Sequence, residues 1–495
     1  MKAGRLLAVT ILALLLFAGL CPAQARKPSY DEEYRAAAAQ LQRRQYPQAL
    51  KTLDGLLTKY KESHQVRQIQ LSRSECLRQM KKYDDALALL AKLRADFKDD
   101  KDLQAGTLLT TGDLLRTKKS FPESVAAYRK VAKDHADQPQ HAADALLRAG
   151  EVLCNDMKKY DEGLAAYAAV ETQFAAQVRQ AADSVLRTAV VYETMTQDLL
   201  KAAAAYQKLT QKYPTLYQEH VLAGYFSKTS ACLRGAKKLP EALTAMKQAE
   251  AALRDNRYKT PQAQEQVKLW MEMKKFPEAR VECERIICEY PLELDVCQAA
   301  QTQLVEAYRF ESKFPETLGA ARILYDAAGS DRNVRAAAHV VAQAFRSVDG
   351  HLGRANEFLL YQRFGPAGPD GSPNTADDVR ANHLTAARYP PSNPGRDKKF
   401  ADAIKAQPNT YQGYRAKGFL YVYWGKPKEA AQHFRLAFRA SSDAQVPAAA
   451  HELVLVGMKA YSSSFFGLDK VFEYISYGPK GKTGKENIAD PFRGL

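Results

Sequence analysis

Cysteines, histidines and paired lysines are the side chains in this chain with chemical reach, and their spacing decides which chemistry is open to them. Beyond residue 25 there are six cysteines: Cys76, Cys154, Cys232, Cys283, Cys288 and Cys297. None forms a CxxC pair or stands at metal-ligand spacing with histidine. Cys76, Cys154 and Cys232 follow one another at intervals of 78, which marks equivalent small core positions in a repeating chain. Cys288 and Cys297 could meet across a short connection, so in an oxidising compartment they are a candidate disulfide. His451-Glu452 lacks the second histidine of a zinc-protease helix. Gly481-Lys482-Thr483 lacks the first glycine of a phosphate loop, because residue 476 is Ser476. The carboxylates that recur do so in one structural register, and no acid/base pair stands out from it. The sequence therefore offers no catalytic, cofactor or metal residues, and it reads as a protein that is not an enzyme.

The lysines are different. Lys81-Lys82, Lys118-Lys119, Lys158-Lys159, Lys237-Lys238 and Lys274-Lys275 all stand at or just before the start of one recurring phrase. It reads KKYDDALALL from 81, KSFPESVAAY from 119, KKYDEGLAAY from 158, KKLPEALTAM from 237, KKFPEARVEC from 274 and SKFPETLGAA from 312. Each pair is expected at the end of a helix, where cations complement the carbonyl end of the dipole. If repeats stack, the pairs form a basic ladder along one edge, a candidate surface for an anionic partner.

Stacking is what the phrase demands. Its aromatic or leucine residues, Tyr83, Phe121, Tyr160, Leu239, Phe276 and Phe314, are separated by 38, 39, 79, 37 and 38 residues. The 79 hides a degenerate copy ending at Tyr206, and QYPQAL at 45–50 and HLGRANEFLL at 351–360 extend the series. After the aromatic comes Pro or Asp, then an acid, both suited to a helix start. The next position is small (Ala86, Ser124, Gly163, Ala242, Ala279, Thr317), letting a second helix lie close to the first. A small residue often stands nine before the aromatic, as at Ser74, Gly112 and Ser230. A lone hairpin cannot bury its apolar stripe, so a fixed period near 38 predicts an α-solenoid.

This arrangement resembles tetratricopeptide repeats, over roughly residues 30–365 and less clearly 409–478. The period exceeds the family's 34 residues, and in this it is similar to the long repeats of exported bacterial members, such as outer-membrane-assembly proteins and Tol-Pal-associated periplasmic coordinators. The resemblance implies an all-α, right-handed superhelical solenoid of about eleven helix pairs that binds a protein or peptide partner and catalyses nothing.

Residues 1–25 stand apart: Lys2 and Arg5, an uncharged run from Leu6 to Leu20, then Ala23-Gln24-Ala25. This is a signal peptide cleaved near Ala25, and no later run is apolar enough to span a membrane. Residues 26–365 then carry about nine helix pairs. Residues 366–408 form an irregular Pro/Gly-rich insert, 409–478 two further pairs, and 479–495 a flexible basic tail. Asp370, Asn374, Asp377 and Asp378 could offer oxygens to calcium, but Thr375 stands where an EF-hand needs glycine, and a capped turn is the better reading. The formal charge is +16, with 46% apolar and 26% charged residues. Such an exported chain would favour anionic envelope polymers or headgroups over nucleic acid. The expected role is a scaffold or adaptor in a bacterial envelope. Direct binding of an anionic envelope polymer, and the helical part of a wall-cleaving enzyme, are the alternatives.

Overall fold

The computed structural model describes residues 29–328, isolated positions between 337 and 346, 389–390 and most of 392–453. The described residues contain helices and no strand. They fall into two compact units, residues 1–197 and 198–495.

Unit 1 is a run of antiparallel hairpins. The helices are α1 (Tyr30–Gln42), α2 (Tyr46–Lys59), α3 (Ser63–Gln79), α4 (Tyr83–Asp96), α5 (Lys101–Thr117), α6 (Phe121–Asp134), α7 (Pro139–Glu151), α8 (Tyr160–Gln173) and α9 (Val178–Val190). Every second helix opens on the residue that set the period; α2 and α6 carry Pro47 and Pro122 in the first turn, where a missing amide costs nothing, and α4 and α8 carry Asp84 and Asp161 there. The small residue four positions into the phrase is buried each time: Ala86 and Ser124 are fully inaccessible, and the Ser124 hydroxyl donates to the Gly112 carbonyl at 2.7 Å. Gly112 and Gly150 accept the rings of Tyr128 and Tyr167, which would collide with any Cβ there.

The drift of the period from 38 to 39 has a local cause. First helices such as α3 and α5 have 17 residues. In contrast, α7 has thirteen α-helical residues followed by a five-residue π turn, Val152–Asp156, and α9 repeats this with Val191–Met195. A π turn absorbs one inserted residue without breaking the helix. The first of these turns brings Cys154 against Gly163, which has no room for a side chain.

Unit 2 opens with α10 (Leu199–Lys212) and continues through α11 (Glu219–Gly235), α12 (Leu239–Ala252), α13 (Asn256–Glu272), α14 (Phe276–Glu289), α15 (Leu294–Phe310) and α16 (Phe314–Ala327). Then come α17 (Pro394–Ala406), α18 (Tyr411–Trp424) and α19 (Pro427–Arg439). The helix α17 corrects the reading of 366–408 as irregular throughout. Pro394 is not interior but sits in the first turn, and Asn393 caps it by accepting from the Gly395 and Arg396 amides at 3.1 Å. One apolar core joins Ile286, Ile287 and Leu304 of the repeats to Phe400, Phe419 and Phe434 of the last three helices. The signal segment, the calcium-type residues 370–378, the copy at 351–360 and the tail lie outside the described residues.

Within each unit the two helices of a hairpin play unequal parts. First helices touch their counterparts one hairpin on: α1 with α3, α5 with α7, α7 with α9, α11 with α13, and α13 with α15. Among the described residues, second helices make no comparable contact with one another. Where these contacts are made, the first helices form rows within each unit.

Candidate interaction surfaces

The row of first helices is bound together by charge. In unit 1, Arg116 on α5 donates to Glu151 on α7 at 2.7 Å and to Asp156 in the π turn at 2.8 Å. Glu151 also receives Arg187 of α9 at 2.7 Å, and Arg187 reaches Asp183 at 2.9 Å. Arg148 pairs with Asp113, whose other oxygen accepts the Tyr128 hydroxyl at 2.6 Å. Burial alone would raise the Glu151 carboxyl, but hydrogen bonds from Arg116 and Arg187 outweigh it and hold the group below its usual value. Tyr128 is pushed well up, first by burial and then by Asp113.

Unit 2 repeats the device. Arg234 on α11 bridges to Glu265 at 3.1 Å and Glu272 at 2.5 Å on α13. Behind the row, Glu250 accepts Gln266 at 2.7 Å, Arg285 at 2.9 Å and the Tyr290 hydroxyl at 2.9 Å. At these positions opposite charges are matched between successive first helices, which braces the row. Sequence reading missed these arginines. For two of them a signal was available: Arg116 and Arg234 each stand five residues before the start of the second helix, a spacing that Arg78 and Arg309 share although their pairs are with Glu75 and Glu306 of their own helices.

The lysine pairs are exposed, and they close the first helices from the cap position or the residues just past it. Lys81 follows the cap residue Met80 in the left-handed region, φ 62°, and Lys82 is the N-cap of α4. The Lys81 amide donates to the Arg78 carbonyl and the Lys82 amide to Leu77, which is the Schellman closure. The same pair of bonds recurs at residues 44–45, 119–120, 237–238, 274–275, 312–313 and 425–426. Only the last uses glycine, Gly425 at φ 80°. Arg44, Lys119, Lys158, Gln197, Lys237, Lys274 and Ser312 all hold φ between 56° and 65°. Beta-carbon crowding disfavours that geometry.

The pairs also differ in register. In α5 the second lysine, Lys119, is the left-handed residue and Lys118 the cap, whereas in the other four pairs the first lysine is left-handed and Lys82, Lys159, Lys238 or Lys275 is the N-cap. Several are engaged: Lys118 with Asp84 of the preceding hairpin at 2.5 Å, Lys159 with Glu162 at 3.0 Å, and Lys275 over the Trp270 ring at 5.4 Å. Lys158 donates to the Asn155 carbonyl at 2.7 Å. In unit 1 the six lysines stand among Asp84, Asp85, Glu123, Asp161 and Glu162 at the adjoining helix starts. In unit 1 the edge is therefore an alternation of charge and not a basic strip.

Cys288 and Cys297 are both free thiols, so the pairing considered from the sequence is not made in this structure. The Cys297 thiol is turned to the Tyr290 carbonyl at 3.1 Å. Burial pushes the Cys288 thiol up to about 12 and Cys297 higher still, the opposite of a reactive cysteine. Cys76, Cys154, Cys232 and Cys283 are buried in the hairpin cores.

The tetratricopeptide-repeat family model matches residues 183–215, the window of α9 and α10. Among solved structures the chain is similar to Naa15/Naa10 bound to HypK-THB, at 16% identity over 90% of this chain and 71% of that one, with a TM-score of 0.32. It is similar to the apo form of the quorum sensor NprR from B. thuringiensis, at 14% identity over 65% and 94%, TM-score 0.29. It is also similar to the TPR2AB domain of yeast Sti1 in its pHSP90 complex, at 15% identity over 57% and 95%, TM-score 0.23. No curated protein matches the chain.

Proposed function

We propose that this chain, whose helix hairpins are tetratricopeptide-type repeats, is a scaffold that holds segments of partner proteins along its first-helix rows, and that it does so outside the cytoplasm of a bacterial cell. The observation that carries the reading is the braced row. Partners gain most from a surface that loses little freedom on binding, and ion pairs linking successive first helices supply such a surface. Gly106 on α5 and Gly224 on α11 occupy the same register, fifteen residues before the second helix. No neighbouring atom crowds either position, so a partner chain can approach closely there.

Export rests on the sequence of residues 1–25, and the envelope setting on the likeness of the long repeats to those of exported bacterial proteins. No helix among the described residues is long and apolar enough to cross a membrane. Polymer binding through the lysine edge has less behind it, given the carboxylates that interrupt that edge.

The test is photo-crosslinking in cells. A photoreactive side chain at position 106 or 224 should give discrete protein adducts. The same group at Lys130, exposed on the second helix α6, should not. Adducts of equal yield from all three positions, or from Lys130 alone, would remove the first-helix row as the binding face. N-terminal sequencing of the protein from the extracytoplasmic fraction should begin at Arg26.

A further inference from the structure

Unit 2 carries a cleft that repeat stacking does not account for. The helix α17 lies against α14, and α18 lies against α14 and α16, so the second-helix side of these last hairpins is partly roofed. Between α14, the turn after α15 and the start of α17 a cleft of about 390 Å³ remains, at the small end of the range for ligand pockets. One wall is apolar, formed by Pro277, Val281, Tyr308 and Pro390, and Val281 is 54% exposed there.

The other wall is charged, and unevenly so. Arg280, Lys313, Arg396 and Lys399 line the cleft against two carboxylates, Glu284 and Glu316. Arg396 and Glu284 are only 8% and 9% exposed. Arg396 is held by donation to the Tyr423 carbonyl at 2.8 Å and stands 4.0 Å from Glu284. Lys399 Nζ is 3.6 Å from Glu284, and Lys313 Nζ is 3.6 Å from Glu311, which also pairs with Arg280. Burial raises the Glu284 carboxyl, with Lys399 and Arg396 opposing. Four cations, of which Arg396 is buried and Lys313 and Lys399 are open to solvent, outnumber the carboxylates lining the cleft, and beside an apolar wall they make a receptor for an anion that carries a hydrophobic neighbour.

We propose that this cleft is a second docking site, taking a carboxylate-bearing segment of a partner protein, with Lys313 and Lys399 at its mouth and an adjoining apolar side chain against Val281 and Tyr308. A polyphosphate or nucleic-acid backbone would satisfy the cations but leave the Pro277–Val281 wall unfilled. The proposal rests on the scaffold reading only for the occupant being a protein. The site itself belongs to the second-helix layer and not to the first-helix row.

The experiment uses the full chain with Val281→Cys as reporter and Val178→Cys, 47% exposed in unit 1, as reference. Labelling rates are measured with a sulfonate-bearing and a trimethylammonium-bearing methanethiosulfonate. The anionic-to-cationic rate ratio at position 281 should exceed that at 178 by about threefold at low salt. Adding Lys399→Glu should bring it to or below the reference, with circular dichroism unchanged. Equal ratios at 281 and 178 overturn the site. In a second arm a Glu/Leu hexapeptide with an amidated end, and a Gln/Leu hexapeptide with a free terminal carboxylate, are offered as protectants. Slowing by the first assigns side-chain carboxylates, and slowing by the second a chain terminus. Protection by neither, or stronger protection by polyphosphate, overturns the occupant. Photo-adducts missing at 106 and 224 with charge selectivity kept at 281 would discard the row and keep the cleft.

Discussion

The left-handed lysines make a quantitative prediction about stability. Lys81, Lys119 and Lys158 hold φ of 62°, 65° and 58° in three successive turns of unit 1. A non-glycine residue in that region is disfavoured by roughly 1–2 kcal/mol. Glycine would remove this strain, while its looser unfolded chain would take back about 0.4–1 kcal/mol. Each Lys→Gly substitution should therefore stabilise by about 0.5–1 kcal/mol. The sites lie in separate turns, so the triple variant Lys81→Gly, Lys119→Gly, Lys158→Gly should gain about 1.5–3 kcal/mol by near-additivity. For a unit of this size about 1 kcal/mol moves Tm by roughly 2–4 °C, so the triple variant should melt about 3–12 °C higher by circular dichroism. Loss of charge is separated by Lys119→Ala, which removes the same ammonium but keeps the β-carbon. That variant should gain nothing. If alanine stabilises as much as glycine, or if the triple glycine variant melts lower, the strain argument is wrong.

Other expectations concern the braced row, the tight packing and the thiols. Glu151→Gln breaks a carboxylate shared by Arg116 and Arg187 and should cost about 1–3 kcal/mol at neutral pH. The folded carboxyl titrates below its usual 4.5. Its contribution is thus present above that value and lost as pH falls through the folded one, so acid should lower the Tm of the wild type more steeply than that of Glu151→Gln. Gly163→Ala meets the Cys154 sulfur and, at 3.0 Å, the Gly150 carbonyl. It should cost about 1–3 kcal/mol, and Cys154→Ala should recover part of this, visible as a coupling in a double-mutant melting cycle. Iodoacetamide should modify Cys288 before any other described cysteine, at a rate that keeps rising to pH 10, because its thiol is pushed up to about 12. A rate plateau below pH 9 would contradict that environment.

How far the sequence foretold this structure depends on the range over which each feature is encoded. Tyr83, Phe121, Tyr160, Leu239, Phe276 and Phe314 do begin second helices, because proline, aspartate and a small residue act within one turn of the chain. The buried Gly112 and Ser124 were legible for the same reason. The π turns were half legible: the step from 38 to 39 showed an insertion, but only contact of Cys154 with Gly163 shows where it is absorbed. The lysines hide the turn because a charged residue in the left-handed region has no pattern of its own. Glycine would have announced the Schellman turn, as Gly425 does.

The cleft lay beyond sequence reading for a different reason. Its cations come from positions 280, 313, 396 and 399, and no local rule relates α14 to a helix that begins more than a hundred residues later. What joins them is the shared core of Ile286, Ile287, Phe400 and Phe419. Phe400 stacks on Trp424 at 6.1 Å, whose indole donates to Asp397 at 2.6 Å, the residue next to the buried Arg396. The position of the charged wall is thus set by apolar packing, since side chains locked on both sides by a core hold their charge where water would otherwise let it wander. By this reasoning Phe400→Ala should abolish the charge selectivity at position 281 while every lysine and arginine of the cleft remains in the chain.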